Sequence, residues 1–323
     1  MKVIQAESAG FCFGVDRAVR MAEELAVSAD SPRMLGRVIH NDHVMAQLRG
    51  QGMLLIDDPV QAEKGDSVLL RAHGVGREVY EALGTRGAAV VDATCPKVAR
   101  VHKIVSQADE AGRRCVMIGD PGHPEVQGVA GWCRNLLVFR GPEEVEQWLS
   151  ITPEAVNLPL TVVAQTTLIR DIWESSLNFL KKQCTNLKIF DTICSATHIR
   201  QAEAAEIAAK VDVMVVVGDP KSANTKHLTD ICRQHCSRVF QIESADELPR
   251  QALSGCSVVG LTAGASTPAS IIKEVKKTMS EEKIPSEGME NFAEMFEQYT
   301  NTLNTGDKVT GVVTAITPTE VHV

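Results

Sequence analysis

The sequence predicts an α/β fold: three similar small α/β domains with mostly parallel sheets, set around a pseudo-threefold axis. Three observations carry that expectation. Short Val- and Ile-rich runs alternate with longer amphipathic segments, the pattern of βα units whose parallel strands are buried on both faces. A Gly-Asp-Pro turn closing one such run, in "VMIGDPGHPEVQG", returns 99 residues later in "VMVVVGDPKSANT". Three cysteines, Cys12, Cys95 and Cys194, each stand between a strand-like run and a helical one.

Taken in order, strands are expected at "VIQA", "SVLLRA", "AAVVDA", "CVMIG", "TVVAQ", "KIFDT", "VMVVVG" and "SVVGLTA". Helices are expected at "GVDRAVRMAEELA", "PKVARVHKIVSQADEAG" and "THIRQAEAAEIAAK". In the second of these Val98, Val101, Ile104, Val105 and Ala108 keep helical spacing. The body is expected to span residues 1–280, in units of about 13–96, 97–193 and 194–280, with the strand in 1–12 completing the assembly. An acidic helical linker at 281–305 and a short β-rich piece at 306–323 would follow.

The bulk numbers fit this picture. With 323 residues the chain exceeds the usual single core, and 44 % apolar with 23 % charged residues is the balance of a soluble globular protein. Aromatics are only 4 %, so Val, Ile, Leu and Ala must fill the core. A net charge of −8 argues against a whole-surface nucleic-acid binder. No leader-like apolar segment opens the chain and no run reaches membrane-spanning length, so a cytoplasmic protein is expected. Nine cysteines are many for a reducing compartment, which favours metal binding or catalysis over disulfides. Cys115 and Cys256 sit inside strand-like runs and read as small buried hydrophobes. Cys232 and Cys236 with His235 have helical spacing, but no second Cys/His pair completes a zinc site, so a structural helix is the better reading.

Lining up the strand ends exposes the repeat. One class ends at glycine with a polar residue four further on: Gly36 with His40, Gly119 with His123, Gly218 with Ser222. A second class closes at His73, Thr166 and Ser266. The third is the strand–Cys–helix class, in which Asp92 and Asp191 stand three residues before their cysteines and Ala9 stands before Cys12. Ligands of parallel α/β sheets bind beyond the carboxyl ends of strands. Three such units facing inward would bring these positions to one cavity.

Cys12, Cys95 and Cys194 stand at helix starts, where free N–H groups and the helix dipole favour the thiolate, the metal-binding form. Pro96 suits a first helical turn, and Ser195 or Thr197 can cap the helix after Cys194. Three thiolates can hold a zinc ion or an iron–sulfur cluster, with one coordination position left open for a substrate. Around them, His40, His73 and His123 with Ser222, Asn224, Thr166 and Ser266 would form a ring of hydrogen-bond donors suited to a phosphate or diphosphate. No P-loop is present. Pro121 and Pro124 restrict the loop that carries Glu125: buried in a closed pocket this carboxyl becomes a proton donor, and on the surface it would cap a helix or pair with a lysine.

At this point the motifs "GFCFGV", "RVIHN", "RAHGV", "DATCPKV", "GHPEV", "QTTL", "DTIC" and "AGAST", in this order over about residues 1–280, resemble the IspH/LytB family of 4-hydroxy-3-methylbut-2-enyl diphosphate reductases. The resemblance implies three α/β domains around a central 4Fe–4S cluster held by Cys12, Cys95 and Cys194, with one open iron and no nucleotide cofactor. It implies reductive dehydroxylation of an allylic diphosphate to isopentenyl and dimethylallyl diphosphate, the last step of the non-mevalonate isoprenoid pathway. His40, His73, His123, Ser222, Asn224 and Ser266 would bind the diphosphate. Thr166 would contact the reacting hydroxyl, Glu125 would supply protons, and ferredoxin or flavodoxin would supply electrons. Ala223 departs from the family's usual serine, so one diphosphate contact should be missing, with a loss of affinity at most.

Beyond Ser280 the acidic stretch with Phe292, Met295, Phe296 and Tyr299 at helical spacing suggests a short amphipathic helix. The final "GDKVTGVVTAITPTEVHV" resembles the opening of an OB-type repeat of a ribosomal small-subunit protein. Eighteen residues supply two strands at best, so a longer natural chain is expected, with RNA or ribosome contacts only through that longer region. Two rival readings remain at this level: an α/β platform for RNA-linked work, and a zinc hydrolase on the same cysteines.

Overall fold

The computed structural model describes residues 1–281, 315–316 and 321–322. The chain divides into two units, Met1–Ser280 and Glu281–Val323. In the first, the strands are β1 (Lys2–Gln5), β2 (Pro32–Leu35), β3 (Leu54–Ile56), β4 (Ser67–Leu70), β5 (Ala89–Asp92), β6 (Arg114–Ile118), β7 (Leu136–Phe139), β8 (Leu160–Ala164), β9 (Leu187–Ile189), β10 (Val213–Val217), β11 (Val239–Ile242) and β12 (Val258–Ala263).

These form three four-stranded sheets of one topology, β3-β2-β4-β5, β7-β6-β8-β9 and β11-β10-β12-β1. Every neighbouring pair is parallel. The third sheet closes only because β1, the first strand of the chain, pairs with β12, matching Lys2 to Val258 and Gln5 to Leu261. The three-unit α/β architecture expected from the sequence is therefore present.

Central strands explain the apolar runs. "VMVVV" of β10 and "LTVVA" of β8 are buried at every position, because helices cover both faces of a parallel sheet. The helix Pro96–Glu110 buries Val101, Val105 and Ala108 against Cys115, Met117, Val126 and Val163, and Val98 is buried on the same helix. Each fully buried aliphatic side chain there contributes roughly 1.5–3 kcal/mol. Cys115 is part of that core, as expected. Cys232 and Cys236 are buried against Ala204, Ile207 and Met214, whereas His235 is exposed, so those three side chains do not converge.

One expectation is corrected. Neither Ser195 nor Thr197 caps the helix Ser195–Ala208: Cys194 itself is the N-cap residue, with no side-chain cap bond. Cys12 and Cys95 hold the same position on Phe13–Ser28 and Pro96–Glu110.

Among the described residues no helix is long and apolar enough to cross a membrane. The expected linker helix carrying Phe292 and Tyr299 lies outside the described residues. So does the OB-type reading of 306–323, apart from a short antiparallel pairing of Ala315–Ile316 with Val321–His322.

Candidate active site

The strand registers show how the cavity is assembled. Leu70, Ala164 and Ala263 end the central strands β4, β8 and β12 and pair with Leu35, Ile118 and Val217. The second residue past each end, Ala72, Thr166 and Ala265, accepts a hydrogen bond from a cysteine N–H. Cys95 N donates to Ala72 O at 2.9 Å, Cys194 N to Thr166 O at 2.9 Å, and Cys12 N to Ala265 O at 3.3 Å. Each cysteine carbonyl then accepts the first N–H of its helix, from Ala99, His198 and Asp16. One backbone device, used three times, aims three thiols from three sheets.

The third residue past each strand end is His73, Thr167 and Ser266. Thr166 thus sits one position earlier than its two class members, and Thr167 is the true register equivalent, which spacing from motifs alone did not reveal. The loop before Cys12 differs too. Continuing the β1–β12 register places Glu7, not Ala9, opposite Ala263, where Asp92 and Asp191 stand in the other sheets, so this loop is two residues longer.

All eleven residues expected from the sequence line one cavity of about 110 Å³: Cys12, Cys95, Cys194, His40, His73, His123, Glu125, Thr166, Ser222, Asn224 and Ser266. Arg200, Lys97 and Thr167 line it as well. Sequence reasoning passed over Arg200 and Lys97 because a lone basic residue in a helical run carries no signal of its direction.

The polar side of the cavity is unsatisfied. His40 Nε2, His73 Nδ1, both amide atoms of Asn224 and Ser266 Oγ are buried without a hydrogen-bond partner. A buried polar atom left unpaired costs about 1–3 kcal/mol, so several facing one cavity call for a polar ligand. The imidazoles form a row, with ring centroids 5.0 Å apart for His40–His73 and 5.5 Å for His73–His123. Burial, then repulsion from one another, pushes His73 well below the ordinary value and His123 down to about 4. Arg71 stands near all three and adds to their depression.

His123 is also the N-cap of the helix Pro124–Ala130, its Nδ1 accepting the Glu125 N–H at 3.1 Å. In the neutral ring the proton therefore sits on Nε2, which becomes a donor. Ser222 plays the same part on Ala223–His235, its Oγ accepting from Thr225 N, which leaves its hydroxyl proton free to donate.

Glu125 is 2 % exposed. Thr166 N donates to its Oε1 at 2.7 Å and Thr166 Oγ1 lies 2.6 Å from its Oε2. Burial outweighs these two bonds and raises the carboxyl to about 7.

Among the described residues no three His, Cys, Asp or Glu side chains are close enough to hold a single metal ion. Yet the three thiols share a cavity, and charge on Cys12 and Cys194 adds to the burial that pushes the Cys95 thiol up. Three thiols on one cavity are a donor set that an iron–sulfur cluster could use, one iron to each cysteine. Gly14 belongs to this arrangement: a Cβ there would stand 2.6 Å from Cys95 Sγ, so only glycine lets the helix after Cys12 approach the second cysteine.

Known proteins resemble this chain over most of its length. A reductase of Caldanaerobacter subterraneus, named 4-hydroxy-3-methylbut-2-enyl diphosphate reductase, is 41 % identical over 283 residues, covering 85 % of this chain and 95 % of that protein. A protein of the same name from Clostridium acetobutylicum is 36 % identical over 99 % of this chain, which spans 50 % of that protein's length. A solved (E)-4-hydroxy-3-methyl-but-2-enyl diphosphate reductase, described as the terminal enzyme of the non-mevalonate pathway, is 36 % identical with a TM-score of 0.64, covering 87 % of this chain and 100 % of that one. The Plasmodium falciparum E-1-hydroxy-2-methyl-but-2-enyl-4-diphosphate reductase is 25 % identical with a TM-score of 0.80, covering 92 % and 98 %. The family model described as LytB protein matches residues 3–280, the whole span that carries the three sheets and the cavity, and the chain belongs to that family.

Proposed function

We propose that this chain reduces (E)-4-hydroxy-3-methylbut-2-enyl diphosphate to isopentenyl and dimethylallyl diphosphate in the cytoplasm, as the last step of the non-mevalonate pathway. The C–O bond to the hydroxyl breaks, two electrons and two protons enter, and water leaves. One observation carries the reading: a buried carboxyl raised to about 7 and bonded to Thr166 lies in the same cavity as a row of unsatisfied histidine and amide donors and three thiols.

Cys12, Cys95 and Cys194 would hold a 4Fe–4S cluster with one iron free of protein ligands. When bound, it supplies electrons one at a time and a Lewis-acidic position. Ferredoxin or flavodoxin, as one-electron carriers, fit as the external donor.

The chain's own groups divide the remaining work. His40, His73, His123, Ser222, Asn224 and Ser266 bind the diphosphate, whose negative charge draws protons toward the depressed imidazoles. Glu125 and Thr166 hold the proton. In the ionised form Thr166 N–H and O–H both donate to the carboxylate. Because the N–H keeps Oε1 an acceptor, a proton taken up by the acid goes to Oε2 and turns the second bond round, so that Oε2–H donates to Thr166 Oγ1. The threonine O–H is then free to point toward the substrate hydroxyl, so a proton passes from Glu125 through Thr166 to the departing oxygen.

The test is iron and sulfide content with a visible spectrum on protein purified without oxygen, for wild type and Cys95→Ser. About four irons and a broad band near 400 nm, lost or cut to three irons in the variant, are expected. A colourless wild type that takes up zinc but no iron–sulfur cluster would return the site to the hydrolase reading.

A further inference from the structure

The loop that presents Cys12 is the one of the three with no aspartate to brace it from within, its own backbone supplying one turn, Ala9 N to Ala6 O at 3.3 Å. Before Cys95 and Cys194 an aspartate accepts its own chain's N–H two residues on: Thr94 N to Asp92 at 2.8 Å, and Ile193 N to Asp191 at 3.2 Å. The longer loop from Glu7 to Gly10 has no such aspartate. It is held from outside, by one turn of the helix that begins after Cys194. Arg200 donates from Nε and Nη2 to Ser8 O at 3.0 and 2.7 Å, and from Nη2 to Gly10 O at 2.8 Å. Glu203 accepts from Glu7 N at 2.6 Å and Ser8 N at 2.9 Å, and also bonds the Ser8 hydroxyl.

Arg200 is only 3 % exposed, and its bonds run to carbonyls rather than to a carboxylate, because both Glu203 oxygens are engaged by the loop. A buried guanidinium is costly unless an opposite charge accompanies it. The side chain lines the cavity that holds Cys12, Cys95 and Cys194, so a cluster bound through their thiolates would bring the opposite charge beside it.

We propose that Arg200 is a positioning residue that also acts electrostatically. It fixes the Cys12 loop, and it supplies the buried positive charge that retains the cluster and raises its reduction potential. This rests on the cluster reading above. Fixed positive charge near a cluster favours its reduced, more negative state. The fork of Arg200 and its charge are separable, since lysine keeps the charge and loses the two-pronged grip. Glu203 gives the complementary control, because removing its charge loosens the same loop without removing the cation.

The experiment uses the full chain, anaerobically reconstituted. Wild type, Arg200→Met, Arg200→Lys and Glu203→Gln are compared by iron content, far-ultraviolet circular dichroism and an EPR-monitored redox titration. Arg200→Met should make the cluster at least tenfold harder to reduce, a fall of 59 mV for one electron, and should lower its iron content. Arg200→Lys should lose iron more readily while keeping the reduction equilibrium within threefold of wild type, and Glu203→Gln should lose iron more readily without becoming harder to reduce, since the negative charge it removes can only ease reduction. If Arg200→Met does not fold, the lysine variant decides: an equilibrium displaced as far as tenfold despite the retained charge overturns the electrostatic role. Arg200→Met with full iron content and an unshifted potential overturns the proposal whole. Wild type that assembles no cluster instead defeats the reading on which it rests, so the two failures are distinguishable.

Discussion

Glu125→Gln is the perturbation that tests the site most directly. Glutamine reproduces the neutral acid: its Oε1 can accept Thr166 N–H and its Nε2 can donate to Thr166 Oγ1, in place of the 2.7 and 2.6 Å bonds. What it lacks is a transferable proton. The buried acid rises from 4.5 to about 7, so the folded state binds a proton that the unfolded state has released across that window. The sign follows: this residue's contribution to stability is largest at low pH and declines as pH rises from 4.5 to about 7. At about 1.4 kcal/mol per pH unit the whole decline is roughly 3 kcal/mol, of which roughly 2 falls between pH 5.5 and 8.

His123 and His102, both pushed down to about 4 by burial, act in the opposite sense at acid pH. The informative quantity is therefore the difference between variant and wild type. Urea unfolding of both proteins at pH 5.5 and 8 should show Glu125→Gln gaining about 2 kcal/mol on wild type over that interval. In turnover assays with a chemical reductant, wild-type kcat/KM should fall above pH 7 as the acid ionises. The variant should lose about 100- to 10,000-fold in kcat, while product binding changes little. Turnover within fivefold of wild type, or an alkaline limb that survives unchanged in the variant, would refute the assignment of the proton to Glu125.

Two further substitutions probe the other walls of the cavity. Gly14→Ala drives a methyl toward Cys95 Sγ at 2.6 Å, an overpacking of about 1–3 kcal/mol, and should show as lowered iron content after reconstitution with the fold intact by circular dichroism. Ala223→Ser adds a hydroxyl at a position that lines the cavity, so KM for the diphosphate substrate should fall two- to tenfold, the worth of one hydrogen bond, with kcat unchanged.

Much of this site was legible because local chemistry repeats. Gly-Asp-Pro recurs since Asp120 Oδ1 accepts Gly122 N at 3.0 Å and Asp219 Oδ1 accepts Lys221 N at 2.7 Å, two Asx turns that deliver His123 and Ser222. Eight of the strands were also readable from their apolar runs. The edge strands β3, β7 and β11 were not: LLI, LLVF and VFQI are largely apolar runs of only three or four residues, too short to tell from a piece of helix by pattern alone, and β2 was visible only by its end at Gly36. Arg200 was illegible for a different reason: its partner Ser8 is 192 residues away, and no local pattern encodes a contact of that range.

The one acid of the site shows how small a difference in local structure assigns chemistry on a repeated scaffold. Two residues past His40, His123 and Ser222 stand Asp42, Glu125 and Asn224, register equivalents in the three sheets. In the second and third units the site residue itself is the N-cap, so Glu125 and Asn224 occupy the second helical position and are buried, at 2 % and 4 % exposure. In the first unit Asn41 takes the cap, its side chain accepting Val44 N at 3.0 Å, and the helix begins one residue later. Asp42 is thereby the first helical residue, turned by about 100° around the axis. It points outward, its side chain 69 % exposed and paired with Arg37 at 2.6 Å. The same shift takes His40 off capping duty, and His40 Nε2 is left unpartnered in the cavity. A capping asparagine thus turns one carboxylate away from the cavity, and among the residues lining it Glu125 is left as the single acid, beside Thr166, where the proposed reaction needs a proton.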